Sequence, residues 1–450
     1  MVLNYIWIAF FIIGFVVAFI KLFQGDLSIF PAMVDSIHSL ARVSVDISLG
    51  LIGVMALWLG IMKIGENGGA INILTRLVSP FFSRLFPEIP KNHPAMGSMM
   101  MNFAANMLGL DNAATPLGLK AMNHLQELNP DKETASNAQI MFLVLNTSGL
   151  TLIPVSIIAL RLANGAANPT DIFIPILAAT FISTMVGLIT VSLIQKINLF
   201  QPVVLAYLGG GALLVGGMIA YFRNLDNSWA PTRETLMTEL ADLKALGDTA
   251  TASQLSRIEE VTALIPGPMG TQSEFLGSFI IFGIIFSFII LAAIRKVNVY
   301  ESFVEGAKEG FGVAVKIIPY LVAMLIAIGV FRASGAMVYL MNAFRFVFSP
   351  FGDTRWVEAL PVALMKPLSG SGARGAAVDA MQTHGVDSFI GSLACTMQGS
   401  TETTFYTLAV YFGAVGVIRT RYTIVAGLIA DLAGIIGAVA MAYLFFGNRI

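Results

Sequence analysis

Four short polar runs interrupt a chain that is otherwise strongly apolar. Their residue types suit the binding of a small polar solute or ion. The first run is Asn102 to Pro116, where Gly109 and Pro116 break a helix and Asp111, Asn112 and Thr115 supply polar groups at the break. The second is Asn146-Thr147-Ser148-Gly149, followed by Thr151 and Pro154, in the middle of apolar residues 140–160. The third is Pro367 to Gly375, which carries Ser371 and Arg374. The fourth is Gln398 to Thr404, which carries Gln398, Ser400, Thr401 and Glu402. A helix broken inside a membrane exposes N–H groups at one half-helix end and C=O groups at the other, which attract anions and cations respectively. Glu402 stands alone in an uncharged segment. A carboxylate at membrane depth costs about 2.5–3.5 kcal/mol on insertion scales, so it needs a reason. It is a substrate ligand or proton carrier, or else the partner of Arg374 or Lys366 in a pair that locks the turn. Asn146, Thr147 and Ser148 also have a structural alternative, because Ser and Thr satisfy backbone groups inside membrane helices. Asp46, Lys316 and Asp431 are further candidate intramembrane charges.

Other chemistries find little footing. Gly370 to Gly375 matches GxGxxG, but no strand–helix pattern surrounds it, so the glycines serve a tight turn better than a dinucleotide. There is no GxxxxGK[ST] motif. His38, His93, His124 and His384 lack the spacing of metal ligands. Cys395, the single cysteine, excludes an internal disulfide framework and reads as a buried apolar residue. No nucleophile–base spacing is visible, so the chain reads as a non-enzyme with no cofactor. A net charge of −1 predicts no nucleic-acid partner.

The elements that must position these runs are membrane helices. The chain is 56% hydrophobic and 12% charged. Apolar runs cover 5–20, 47–62, 138–160, 172–194, 202–222, 275–294, 317–331, 404–418 and 422–446, and several exceed the ~18 residues that mark a spanning helix. Residues 5–20 lack a basic start and a cleavage site, and read as a retained helix. The chain also repeats itself. Val34 and Val304, Asp35 and Glu305, Val43 and Val313, Asp46 and Lys316, Gly65 and Gly335, and Ser79-Pro80-Phe81 and Ser349-Pro350-Phe351 share one offset of 270 residues. Each repeat reads as a spanning helix (4–23 or 275–296), an amphipathic stretch (31–44 or 301–314), a second helix (45–64 or 315–333), a re-entrant hairpin (93–122 or 361–381), a broken helix (137–162 or 386–412) and a closing helix (171–197 or 418–447). Polar backbone survives in a bilayer only when it is buried or lines a cavity, and in a transporter built from repeats the site lies between them.

The resulting fold class is an all-α polytopic membrane protein with two repeats, inverted if each crosses the bilayer an even number of times. Its units are 1–200, a linking helix 201–222, a soluble helical insert 223–274 and 275–450. The insert predicts a helix from Thr232 to Leu246 with Leu236, Met237, Leu240 and Leu243 on one face, and a capping box at Thr251 to Gln254. Small residues at Ala426, Ala430, Gly434, Ala438 and Ala442 predict close helix packing, inside the chain or in a homo-oligomer.

The runs themselves resemble a known family. LGLDNAATPLGLKAM (108–122) with NTSGLTLIP (146–154) is similar to spore maturation protein A, and KPLSGSGARGAAVDAM (366–381) with QGSTETTFYTLAVYFG (398–413) is similar to spore maturation protein B. Both resemble nucleoside-recognition, or Gate, domains, which also occur in concentrative nucleoside transporters and in the ferrous-iron transporter. The resemblance covers nearly the whole chain outside 223–274. It implies a multi-pass bacterial inner-membrane protein whose hairpin tips and unwound helices bind a solute through Asn112, Thr115, Asn146, Thr147, Ser371, Gln398, Thr401 and Glu402. Ser148, Ser400 and Arg374 join that candidate set from their places in the runs, with Asp111 and Glu402 as ion-coupling candidates. The functional expectation is secondary transport, with Na⁺ or H⁺, of a nucleoside-like compound or an aromatic carboxylate. The alternative is a non-transporting envelope scaffold or sensor that binds a protein partner through 223–274.

Overall fold

A computed structural model describes residues 2–449 except 91–92, 110, 246–251 and 265–266. The architecture is all-α. The first repeat runs through α1 (Val2–Phe23), α2 (Ile29–Asn67), α3 (Ala70–Leu85), the hairpin arms α4 (Pro94–Met107) and α5 (Asp111–Leu128), the half-helices α6 (Asn137–Ser148) and α7 (Val155–Ala163), and α8 (Phe173–Gln195). Next come α9 (Pro202–Lys244) and α10 (Ala252–Leu264). The second repeat follows as α11 (Gly267–Ile294), α12 (Val299–Ala333), α13 (Ala336–Phe348), the hairpin arms α14 (Leu360–Met365) and α15 (Gly370–His384), the half-helices α16 (Phe389–Gly399) and α17 (Thr404–Ala414), and α18 (Thr423–Phe446). Among the described residues, seven helices are long and apolar enough to cross a bilayer. This is a multi-pass membrane protein.

Local chemistry sets the breaks. Ser136 and Gln139 form a reciprocal capping box that starts α6. Gly149 ends α6 with φ +55, a backbone that favours glycine, and Pro154 stands just before α7. Gly109, at φ +71, turns α4 into α5. Pro116 does not break the chain as its residue type predicts. It lies early in α5, where a missing N–H removes only one backbone bond.

Two more expectations shift. The amphipathic stretch and second helix of each repeat are one long helix, α2 or α12, the latter running on through Pro319. The joint after that helix falls on Gly69 and Gly335, so Gly65 is not the counterpart of Gly335. Gly65 instead packs against Phe288 of α11.

Equivalent helices pack antiparallel. Along α2 and α12, Gly60 meets Phe303, Met55 meets Gly310, and Leu40 meets Gly329. Along α8 and α18, Gly187 meets Ala430 and Ser183 meets Gly434, while Ser183 Oγ donates to Ala430 O at 2.8 Å. Two copies whose spanning helices run antiparallel are inverted relative to each other. Ala426, Ala430, Ala438 and Ala442 are fully buried, so the small-residue stripe of α18 serves packing within the chain. The α9 helix continues past residue 222 without a break. Its far end pairs with α10 through Leu236, Leu240, Ile258 and Val261, while Met237 stays exposed. Of the expected capping box, Thr251 lies outside the described residues.

Candidate functional site

The four chain breaks meet at the centre of the molecule and are stitched by backbone bonds. Leu152 N–H donates to Met107 O at 2.7 Å, tying the first broken helix to the first hairpin tip. Phe405 N–H donates to Pro367 O at 3.0 Å and does the same in the second repeat. Glu402 N–H donates to Thr147 O at 2.8 Å, which joins the repeats. Backbone polar groups freed by the breaks thus satisfy one another, as a low-dielectric interior requires.

Two cavities flank this crossing. The larger, about 620 Å³, is within the range of small-molecule sites. The first repeat contributes Asn106, Thr115 and Asn146, and the second contributes Ser369, Ser371, Arg374, Glu402 and Thr403. Tyr320, Tyr406 and Tyr411 form an aromatic wall. Gly118 leaves space for the Tyr411 ring, whose hydroxyl lies 3.5 Å from Asn102 Nδ2. The smaller cavity, about 100 Å³, takes in Thr151, Ser156, Lys366, Gln398 and Thr401. Asn106, Gly370, Arg374, Glu402 and Thr403 border both.

Polar side chains at these walls are held in place. Asn106 Nδ2 donates to Asn146 Oδ1 at 2.8 Å, and Asn146 Nδ2 donates to Phe142 O at 2.8 Å. Gln398 Nε2 donates to Gly370 O at 3.2 Å, leaving its Oε1 buried and without a partner. Ser369 caps α15 by accepting from Gly372 N–H at 3.0 Å. The α15 and α17 N-termini converge, since a Cβ at Gly370 would lie 2.9 Å from Thr403 Oγ1. Two positive helix ends beside Arg374 favour an anionic group, while Glu402, exposed to the cavity, offers a cationic or hydroxyl group a partner.

The structure therefore gathers Thr115, Asn146, Ser371, Arg374, Gln398, Thr401 and Glu402 around the two cavities. Thr147, Ser148 and Ser400 line neither. Their hydroxyls donate back to Val144 O, Leu145 O and Met397 O at 3.1, 3.1 and 2.9 Å, capping their own half-helices. The side chains of Asp111 and Asn112 lie outside the described residues, as does that of Lys316. Asp46 is exposed on α2, away from the cavities. Residue-type reasoning passed over Asn106, Ser369, Thr403 and the tyrosines. Asn106 lies inside the first polar run, and its signal was the short spacing to Gly109. The tyrosines carried none, because an aromatic on an apolar half-helix looks like core.

A nucleoside-recognition family model, Gate, matches the chain twice, over residues 48–163 and 314–418. Spore maturation protein A of Bacillus subtilis strain 168 is 44% identical over 180 residues, covering 40% of this chain and 89% of that protein. Spore maturation protein B of the same strain is 48% identical over 165 residues, covering 37% of this chain and 92% of that protein. The chain belongs to the family of spore maturation proteins A and B and carries two Gate regions. It unites in one polypeptide what its relatives carry as proteins A and B. The two Gate regions contain all four breaks, at Gly109, Gly149, Ser369 and Thr403, while α8, α18 and the α9–α10 hairpin lie outside them. No solved structure matches the chain.

Proposed function

We propose that this transporter-like membrane protein carries a small polar organic solute, nucleoside-like or an aromatic carboxylate, across a bacterial cytoplasmic membrane by ion-coupled secondary transport. The observation that carries this reading is the cavity of about 620 Å³, with polar side chains converging on it, built from the broken segments of two inverted repeats. Asn106, Asn146 and Ser371 suit hydroxyls and ring nitrogens, Arg374 suits a carboxylate, and the tyrosine wall suits a flat ring. The decisive experiment is thermal unfolding of the purified protein against nucleosides, nucleobases, amino acids and aromatic carboxylates, with Na⁺ and pH varied. A ligand at 100 times its Kd adds about 2.7 kcal/mol of stability. A solute whose shift is weakened in Glu402→Gln is the expected result. A panel with no shift, or a Glu402→Gln protein that responds like wild type, rejects this reading.

One observation favours a second reading. The 43-residue α9 helix is longer than a bilayer span requires, and its far end folds onto α10, with Arg257 Nε 2.7 Å from Glu239 Oε1. That hairpin suits a docking body for a protein partner, in an envelope scaffold or sensor of the kind the relatives' spore-maturation names suggest. Deleting 232–263 would then abolish capture of the partner while the membrane body stays folded. Capture of the same partner without the hairpin rejects it.

A further inference from the structure

Asp431 is the only charged residue of α18, lies outside both Gate regions and is 1% exposed. One carboxylate oxygen accepts a hydrogen bond of 2.6 Å from Thr404 Oγ1, on the first residue of α17. The other oxygen, Oδ1, is buried with no hydrogen-bond partner. The Thr401 hydroxyl faces the same carboxylate without reaching hydrogen-bond geometry, and it too is buried and unpartnered. Thr401 also lines the smaller cavity, and its methyl group packs on Gly434, one turn along α18. A carboxylate and a hydroxyl thus face each other unsatisfied, between a cavity roomy enough for water and the core.

An ionised carboxylate with a bare oxygen at this depth is expensive. The neutral acid carries its own donor, which Thr401 Oγ1 can accept. The charged groups that act on Asp431 are Lys366, 5% exposed before α15, and Glu402 at the cavity wall. Among the helices packed on α18, α6 and α8 bring no ionisable side chain, α16 brings only the Cys395 thiol, and α17 brings Tyr406 and Tyr411. Lys366 favours the ionised form and Glu402 the neutral one. Neither cavity is lined by Asp431 itself, which suits a proton, needing no coordination sphere, better than a metal cation.

We infer that Asp431 is a proton-carrying group, loaded from the smaller cavity past Thr401. A hydronium ion in the cavity gives its proton to Oδ1, one of its O–H bonds breaking as the carboxyl O–H forms, which leaves neutral water behind, and release reverses the step. Thr404 couples this event to the solute site, because the preceding residue, Thr403, borders both cavities. The coupling role rests on the transport reading; proton binding does not.

Infrared spectra of the full chain in lipid vesicles test the assignment without any solute. They read the C=O stretch of a protonated carboxylic acid from about pH 4 to about pH 9. The expected result is a titrating band that is lost in Asp431→Asn. Thr404→Val removes a donor to the ionised form and should raise the midpoint by about one pH unit. A wild-type minus Asp431→Asn difference spectrum that holds no titrating C=O band overturns the inference. If Asp431→Asn does not fold, Thr404→Val decides, and an unmoved midpoint overturns it. A titrating Asp431 in a protein that no solute stabilises would reject the transport reading and leave the proton site standing.

Discussion

Gly149 is the residue on which the crossing of the two repeats turns. Its φ of +55 ends α6, and a Cβ there would sit 2.8 Å from Glu402 Cγ and 3.3 Å from Glu402 N. Gly149→Ala therefore meets two penalties, a left-handed backbone costing about 1–2 kcal/mol and displacement of the side chain at the cavity wall. The variant should melt at a lower temperature and lose any solute-induced shift. Gly53→Ala, with open space around it, should leave both measurements close to wild type. A Gly149→Ala protein that keeps its solute response would show that Glu402 is not held by this contact. At this scale the sequence was informative wherever a polar residue interrupted an apolar run, as at Asn146 and Glu402. It was silent on direction. Thr147 and Asn146 are adjacent, yet one hydroxyl closes its own helix and the other side chain reaches the cavity, because that choice depends on helix phase at an end no periodicity marks.

At the scale of elements, close approach of backbones decides which helices pair. A Cβ at Gly310 would lie 2.4 Å from Met55 O, and one at Gly306 would lie 2.2 Å from Leu59 O, so α12 touches α2 backbone to backbone. Lipid is as apolar as the side chains, and such contact gains dispersion that bulkier residues would forfeit. Gly310→Ala must push the two helices apart, at an overpacking cost of about 1–3 kcal/mol. Gly312→Ala, two residues away with nothing near its Cβ, should be neutral or slightly stabilising. Unfolding the pair of variants in denaturing detergent checks this, and equal stabilities would reject the packing argument. The stripe on α18 announced its own close packing by spacing. The long continuous α2 was not legible, since an amphipathic stretch followed by an apolar one looks like two elements until a stop residue is sought and not found.

For the whole molecule, inversion has a consequence at both membrane faces. On one face the loop after the first hairpin meets the α17–α18 loop of the second repeat. Ala135 N–H donates to Arg419 O at 2.9 Å, and Ile418 and Arg419 N–H groups donate to Glu133 O at 2.9 Å. The Asp131 carboxyl, accepting from the Thr134 hydroxyl and Glu133 N–H, is held below the usual aspartate range and fixes this loop. On the other face the same exchange recurs with the repeats swapped. The loop after the second hairpin meets the α7–α8 loop of the first repeat through Arg161, fully buried, which pairs with Asp387 at 2.8 Å and Asp171 at 3.2 Å. Arg449 adds a third tie, to Asp171 at 2.6 Å. The repeat was visible in the sequence as a fixed offset, but its inversion was not, because lysines and arginines divide almost evenly between the two sides of the expected topology and the number of crossings depended on which helices were broken. The structure supplies what charge did not, since loops equivalent in the two repeats lie on opposite faces. Glu133 and Thr383 are both exposed, one at each hairpin mouth, and the native Cys395 is fully buried, so it should not react with thiol reagents. Glu133→Cys and Thr383→Cys, made singly, should therefore react with a membrane-impermeant maleimide from opposite sides of sealed vesicles. Labelling of both from one side would mean parallel repeats, and the proposed transport by exchange of two inverted hairpins would fall with it.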